Sequence, residues 1–218
     1  MELKDYAALI ITNQTVIVPK TQIIRDKVAE MSQSIWADGR GKRVNGRTLE
    51  QIEKNCESIA IEYVLPTVCP DFVLNPNNAA FDHRKKETYN HDVVYVPTGA
   101  KFEVKRWVGR LAGSYAKFRT FLGNTHHIDY IVSGSLKIEE DHYEVFIHLV
   151  ARAGSFRKYN NPAHELLVYD HVAAYRDGNC YLSQQIMEKM NAGRNKSVVR
   201  GATGMHRANE KEKLGLSV

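Results

Sequence analysis

The sequence predicts an α/β domain, because segments with apolar residues at helical spacing alternate with short β-rich runs. Two stripes carry the helical part. Ile24, Val28, Met31 and Ile35 fall on one face behind Thr21, a capping residue, and Leu49, Ile52, Cys56, Ile59, Ala60 and Tyr63 form a second face behind Thr48. Thr48 with Gln51 has the spacing of a capping box, and Pro66 is the expected end of that helix. The β part consists of two candidate hairpins. One is centred on Thr98 and Gly99, and the other joins HIDYIVSGSLKIE, from His127, to YEVFIHLVARAG, from Tyr143, with Gly134 as a candidate bulge.

The remaining segments follow from the same signals. Residues 7–18, AALIITNQTVIV, read as a pair of extended runs, and 66–86, rich in Pro, Asn and charge, as an irregular loop. Val108, Leu111, Tyr115, Phe118 and Leu122 recur at helical spacing, so a helix is expected over 108–122. A short strand is expected within 166–175 and a helix within 182–190.

Composition bounds the function. A chain of 218 residues that is 43% hydrophobic can build a packed core. It contains no apolar run of about 18 residues for a membrane span, and MELKDYAALIITNQ lacks the basic and small-residue features of a secretory signal. A cytoplasmic protein without membrane contact is expected, in the host cytoplasm if the source is viral. Cys56, Cys69 and Cys180 are widely spaced with no zinc-binding pattern and read as reduced thiols. No GxSxG elbow or P-loop spacing is present, which ranks acyl-transfer and nucleoside-triphosphate chemistry low.

A net charge of +5 is compatible with a polyanionic partner, and its distribution is more telling than its size. Arg40, Lys42, Arg43 and Arg47 stand among glycines between the two predicted helices, where the backbone could approach a phosphate chain closely. A second basic segment, with Arg194, Lys196 and Arg200, opens the C-terminal arm. These seven residues are the candidate nucleic-acid contacts, holding phosphates without reading sequence.

The chemistry-bearing stretch is HDVVYVPTGAKFEVKR, residues 91–106. Side chains alternate across a strand, so Glu103 and Lys105 share a face while Val104 points to the opposite layer. The turn brings Asp92 to the same polar patch. Two neighbouring carboxylates repel unless a positive charge lies between them, and a hard divalent cation with oxygen ligands answers that need. The Val104 carbonyl could add a third oxygen.

Asp92, ten intervening residues and Glu103-Val104-Lys105 resemble the D-x(n)-ExK core of the PD-(D/E)xK, or restriction-endonuclease-like, nuclease superfamily. The resemblance spans roughly 49–149. It implies a mixed central sheet flanked by helices in the order αβββαβ, an N-terminal extension over 1–48, a nuclease core over 49–192 and a basic arm over 193–218. It also implies Mg2+, for which Mn2+ can substitute, held by Asp92, Glu103 and the Val104 carbonyl, with Lys105 orienting water or stabilising charge. Family members often add a helix glutamate. Glu57 is preferred here because it lies beside the apolar stripe, with Glu62 and Glu53 as alternatives. The family aspartate often follows a proline, and Pro70-Asp71 is the only such pair, yet Asp92 is preferred for its direct route to the patch.

The expected activity is therefore metal-dependent hydrolysis of DNA, as an endonuclease in restriction, repair or viral DNA degradation. A homodimer is natural for cutting both strands. The competing expectations are a non-catalytic nucleic-acid-binding protein and an RNA-cleaving member of the same superfamily.

Overall fold

A computed structural model describes residues 1–37, 48–75, 91–107, 116–118, 128–159 and 167–192. The basic residues Arg40, Lys42, Arg43, Arg47, Arg194, Lys196 and Arg200 lie outside the described residues, as do His126 and His127.

Leu3, Tyr6, Ala7 and Ile10 repeat at one helical face, and all four are buried in helix α1 (Leu3–Ile10). The extended reading of 7–18 is thus corrected in its first part: only β1 (Val16–Pro19) is a strand. Helix α2 (Gln22–Ala37) follows, with Thr21 Oγ1 accepting from the Ile24 N–H at 3.4 Å. Helix α3 (Leu49–Cys56) starts on the expected box: Thr48 Oγ1 accepts from Gln51 N and Gln51 Oε1 accepts from Thr48 N. The chain then tightens into a 3-10 segment (Glu57–Tyr63) and relaxes into α4 (Val64–Val68). The helical path ends at Val68, near Pro66 as expected, and Pro66 itself occupies the first turn of α4, where a missing N–H is tolerated.

Within the stretch read as a loop lies β2 (Phe72–Leu74), whose Phe72 is fully buried. It pairs antiparallel with β3 (Val93–Tyr95), which pairs antiparallel with β4 (Ala100–Arg106) through the expected turn, Gly99 taking φ +71°. Within the crossover that follows, the expected helix over 108–122 is contradicted at β5 (Ala116–Phe118), which is extended and paired to β8 (Leu167–Tyr169) in a separate two-stranded sheet. The crossover delivers β6 (Tyr130–Ile138) parallel to β4, with Phe102 opposite Tyr130.

The second hairpin is as expected: β6 turns into β7 (His142–Arg152), and the register shifts at Ser133/Gly134. A Cβ on Gly134 would meet the Phe146 carbonyl oxygen at 2.5 Å, so only glycine fits this bulge without a shift. After α5 (Ser155–Lys158) and β8, Asp170 caps α6 (His171–Arg176), β9 (Cys180–Leu182) pairs with β7, and helix α7 runs over 184–192. The order β1-β7-β6-β4-β3-β2, with β9 also on β7, makes a mixed sheet flanked by helices. Among the described residues, no helix is long and apolar enough to cross a membrane.

Each sheet face has its own core. On one, Tyr6 is the centre: its ring lies 5.5 Å from Tyr95, 5.2 Å from Phe102 and 4.8 Å from Tyr130, and its hydroxyl meets Thr98 Oγ1 at 2.6 Å, which fastens the β3–β4 turn to α1. On the other, Trp107, Ile131, Leu149, Phe156, Tyr169 and Ile186 pack together. Trp107 there makes edge contacts at 5.5 Å with both His148 and His171, two fully buried imidazoles. His148 hydrogen-bonds Ser135 and Ser183, whereas the ring nitrogens of His171 have no hydrogen-bond partner among the described residues.

Burial pulls the pKa of both imidazoles down from 6.5 to about 4, so each stays neutral in the fold and binds its proton more readily when unfolded. Stability should be complete above pH 6.5 and fall as the pH drops towards 4, by up to about 3 kcal/mol per imidazole. Chemical denaturation across that range should show His171→Phe as stable as wild type at pH 7, with a smaller acid loss. An unchanged acid loss would remove His171 from this account.

Candidate active site

The β3–β4 hairpin sets the site. Asp92 stands one residue before the ladder, its N–H donating to the Phe102 carbonyl at 2.9 Å and its carbonyl accepting from Asn75 N at 2.9 Å. The residue is 6% exposed, and Oδ2 accepts from the Val104 N–H at 2.7 Å. Val104 is buried in the core beneath, and Glu103 and Lys105 project from the other face, as the alternation requires.

Lys105 Nζ is ion-paired with Glu103 and lies 3.6 Å from Asp92 Oδ2. The expected trio is therefore brought together, with the ammonium between the carboxylates. The Val104 N–H points sideways to Asp92, away from β6, and in a strand the carbonyl of the same residue points to that same side.

Glu62, from the 3-10 segment, completes the cluster electrostatically. Burial pushes its carboxyl well above the ordinary range; Asp92 and Glu103 add to the rise, and Lys105 and Lys27 oppose it. Burial also raises Glu103, against the pull of Lys105. Burial alone would lower the Lys105 ammonium, but Asp92 and Glu103 outweigh it and hold its pKa above the ordinary lysine value.

Glu57 is not part of this group. Its carboxylate pairs with Lys20 at 3.4 Å and lies against Tyr143, whose phenol burial, aided by Glu57, pushes up to about 12. Tyr143 is on β7, two strands beyond β4, so the helix glutamate facing the cluster is Glu62. The displacement follows from the 3-10 segment: at three residues per turn instead of 3.6, the face extrapolated from Leu49 no longer predicts positions after Glu57. Asp71 lies at the other end of the hairpin, where its carbonyl accepts from Val96 N and its side chain meets Tyr95.

Asn75 is a residue of the site that the sequence reading missed. It is 7% exposed at the end of β2, and no periodic signal marks it. A cavity of about 530 Å³ at the start of β6, lined by residues including Arg152, Lys158 and Asn179, contains none of Glu62, Asp92, Glu103 and Lys105.

Among the described residues no group of three or more His, Cys, Asp or Glu is arranged to hold a metal ion; an ammonium stands between the carboxylates instead. The carboxylates around it are the hard-oxygen chemistry that a divalent cation such as Mg2+ takes. Compared with protein-family models, curated proteins and solved structures, the chain matches none.

An acid whose folded pKa is raised opposes folding once the pH exceeds its ordinary value of 4.5. In EDTA, Glu62→Gln should therefore raise the melting temperature at pH 7 and leave it unchanged near pH 4. A lower melting temperature at pH 7 would contradict the placement of Glu62 among the carboxylates.

Proposed function

We propose that this protein is a metal-dependent nuclease of the PD-(D/E)xK kind, hydrolysing phosphodiester bonds in DNA. The observation that carries the reading is the single cluster formed by Asp92, Glu103 and Lys105, with Asp92 bonded to the N–H of the residue between the other two. The topology supports it in part: a helical segment, three antiparallel strands β2-β3-β4 and the parallel strand β6 come in the expected order, while the described part of the crossover is the strand β5 and not the expected helix.

Asp92, Glu103, the Val104 carbonyl and Glu62 would hold Mg2+, or Mn2+ in its place. When bound, the ion would polarise a phosphoryl oxygen and acidify a water. Lys105, kept protonated by its two carboxylates, would neutralise charge that builds on the phosphate and orient the attacking water. Glu103 anchors Lys105, and the Val104 N–H anchors Asp92. The seven basic residues proposed to hold DNA phosphates retain that role here, and a homodimer would serve double-strand cutting.

Incubation with supercoiled plasmid should give nicked or linear product with Mg2+ or Mn2+ and none with EDTA. Glu103→Ala and Lys105→Ala should each lower the rate by about 10²–10³-fold, the loss seen when one transition-state contact is removed. Cleavage of RNA alone would favour the ribonuclease reading. Binding of nucleic acid without cleavage would favour a non-catalytic binding protein.

A further inference from the structure

We infer that Asn75 is a positioning residue for Asp92, acting on the peptide that carries the carboxylate; this rests on the metal-dependent nuclease reading. The β2–β3 ladder begins with Leu74 opposite Val93, so the chain enters the site through His91 and Asp92 before regular pairing takes hold. Two contacts from Asn75 fix that entry. Its main-chain N–H donates to the Asp92 carbonyl at 2.9 Å, as any residue but proline could. Its side-chain Nδ2 donates to the His91 carbonyl at 3.0 Å, which few residue types could do from this position.

The consequence for Asp92 is steric and directional. Rotation of the His91–Asp92 peptide would swing the Asp92 side chain, whose Oδ2 must reach the Val104 N–H at 2.7 Å while lying 3.6 Å from Lys105 Nζ. Asn75 grips both carbonyls on the β2 side, and the Phe102 carbonyl grips the Asp92 N–H on the β4 side.

The amide is also the fitting chemical choice. It donates without adding charge beside Asp92, Glu103 and Glu62, where burial and then the Asp92 charge already raise the Glu62 pKa. An aspartate of the same size would lose the donor and add a fourth negative charge. Partners of this outer kind commonly control metal affinity by about 10–100-fold without touching the ion.

The test is a Mn2+ titration of the full chain, read by the electron paramagnetic resonance of free Mn2+, alongside plasmid cleavage at rising Mg2+. Asn75→Ala should weaken Mn2+ binding by about 10–100-fold and raise the Mg2+ needed for half-maximal cleavage equally, with a smaller effect on the rate at saturating Mg2+. Asn75→Leu, which fills the volume without a donor or a charge, should do the same and guards against a cavity that unfolds the protein. Folded variants with wild-type Mn2+ affinity, or a wild type that takes up no Mn2+, would overturn the inference. A wild type that binds Mn2+ but cuts neither DNA nor RNA defeats the nuclease reading alone, and weakened binding in the variants would then still support Asn75.

Discussion

The carboxylate of Asp92 does a main-chain job. At the open end of the β3–β4 hairpin the ladder stops at Val93, and the Val104 N–H, which would otherwise face an absent rung, is satisfied by Asp92 Oδ2 at 2.7 Å. A buried donor left without an acceptor costs about 1–3 kcal/mol, so the fold itself requires an acceptor there. Because that acceptor is charged, the same bond fixes one carboxylate of the cluster relative to the strand that carries Glu103 and Lys105. Fold and site share one interaction.

Everything around the hairpin keeps that interaction in place. From below, Tyr6 packs against Tyr95, Phe102 and Tyr130 and bonds Thr98 at the turn, so α1 clamps both strands of the hairpin and the first residue of β6. From the edge, Asn75 holds the residues entering β3. From the centre of the sheet, β6 runs parallel to β4 and places Ser133 beside Lys105 and Ile131 beside Glu103. The polar end of the hairpin is therefore rigid on three sides, which is what a site must be if its charges are to act at fixed positions.

The sequence makes the centre of this arrangement legible and its borders obscure. The alternation of Phe102, Glu103, Val104 and Lys105 and the Thr98-Gly99 turn are strong local signals, as are the Thr48–Gln51 box and the Gly134 bulge, where backbone needs dictate residue type. Strand β2 has only three residues within a stretch rich in Pro and Asn, too short for a period to register. Helix α1 carries a helical period, but it runs directly into the β-rich TVIV and was masked by it. At 116–118 a helical spacing lost to strand pairing with β8, a partner about fifty residues away in sequence that no local pattern reports. Glu62 could not be separated from Glu57 because the turn period changes at that boundary.

The charge balance of the cluster says what it is suited to hold. With every group ionised, three carboxylates, Glu62, Asp92 and Glu103, would face two ammonium groups, Lys105 and Lys27, an excess of one negative charge that the raised Glu62 pKa works against. In this half-buried setting, unlike charges attract several times more strongly than in water, and so do like charges repel. Burial is the main cause of the raised Glu62 and Glu103 pKa values; at Glu62 the Asp92 charge adds to it, and at Glu103 Lys105 works against it. In the proposed reaction a divalent cation would favour the ionised form of Glu62 and turn the excess of one negative charge of the fully ionised cluster into one positive charge. A phosphodiester linkage carries a single negative charge, so metal and substrate together would bring the site close to neutrality. The carboxylates that burial keeps from ionising readily in isolation are thus the groups that would favour binding the cation first and the phosphate after it.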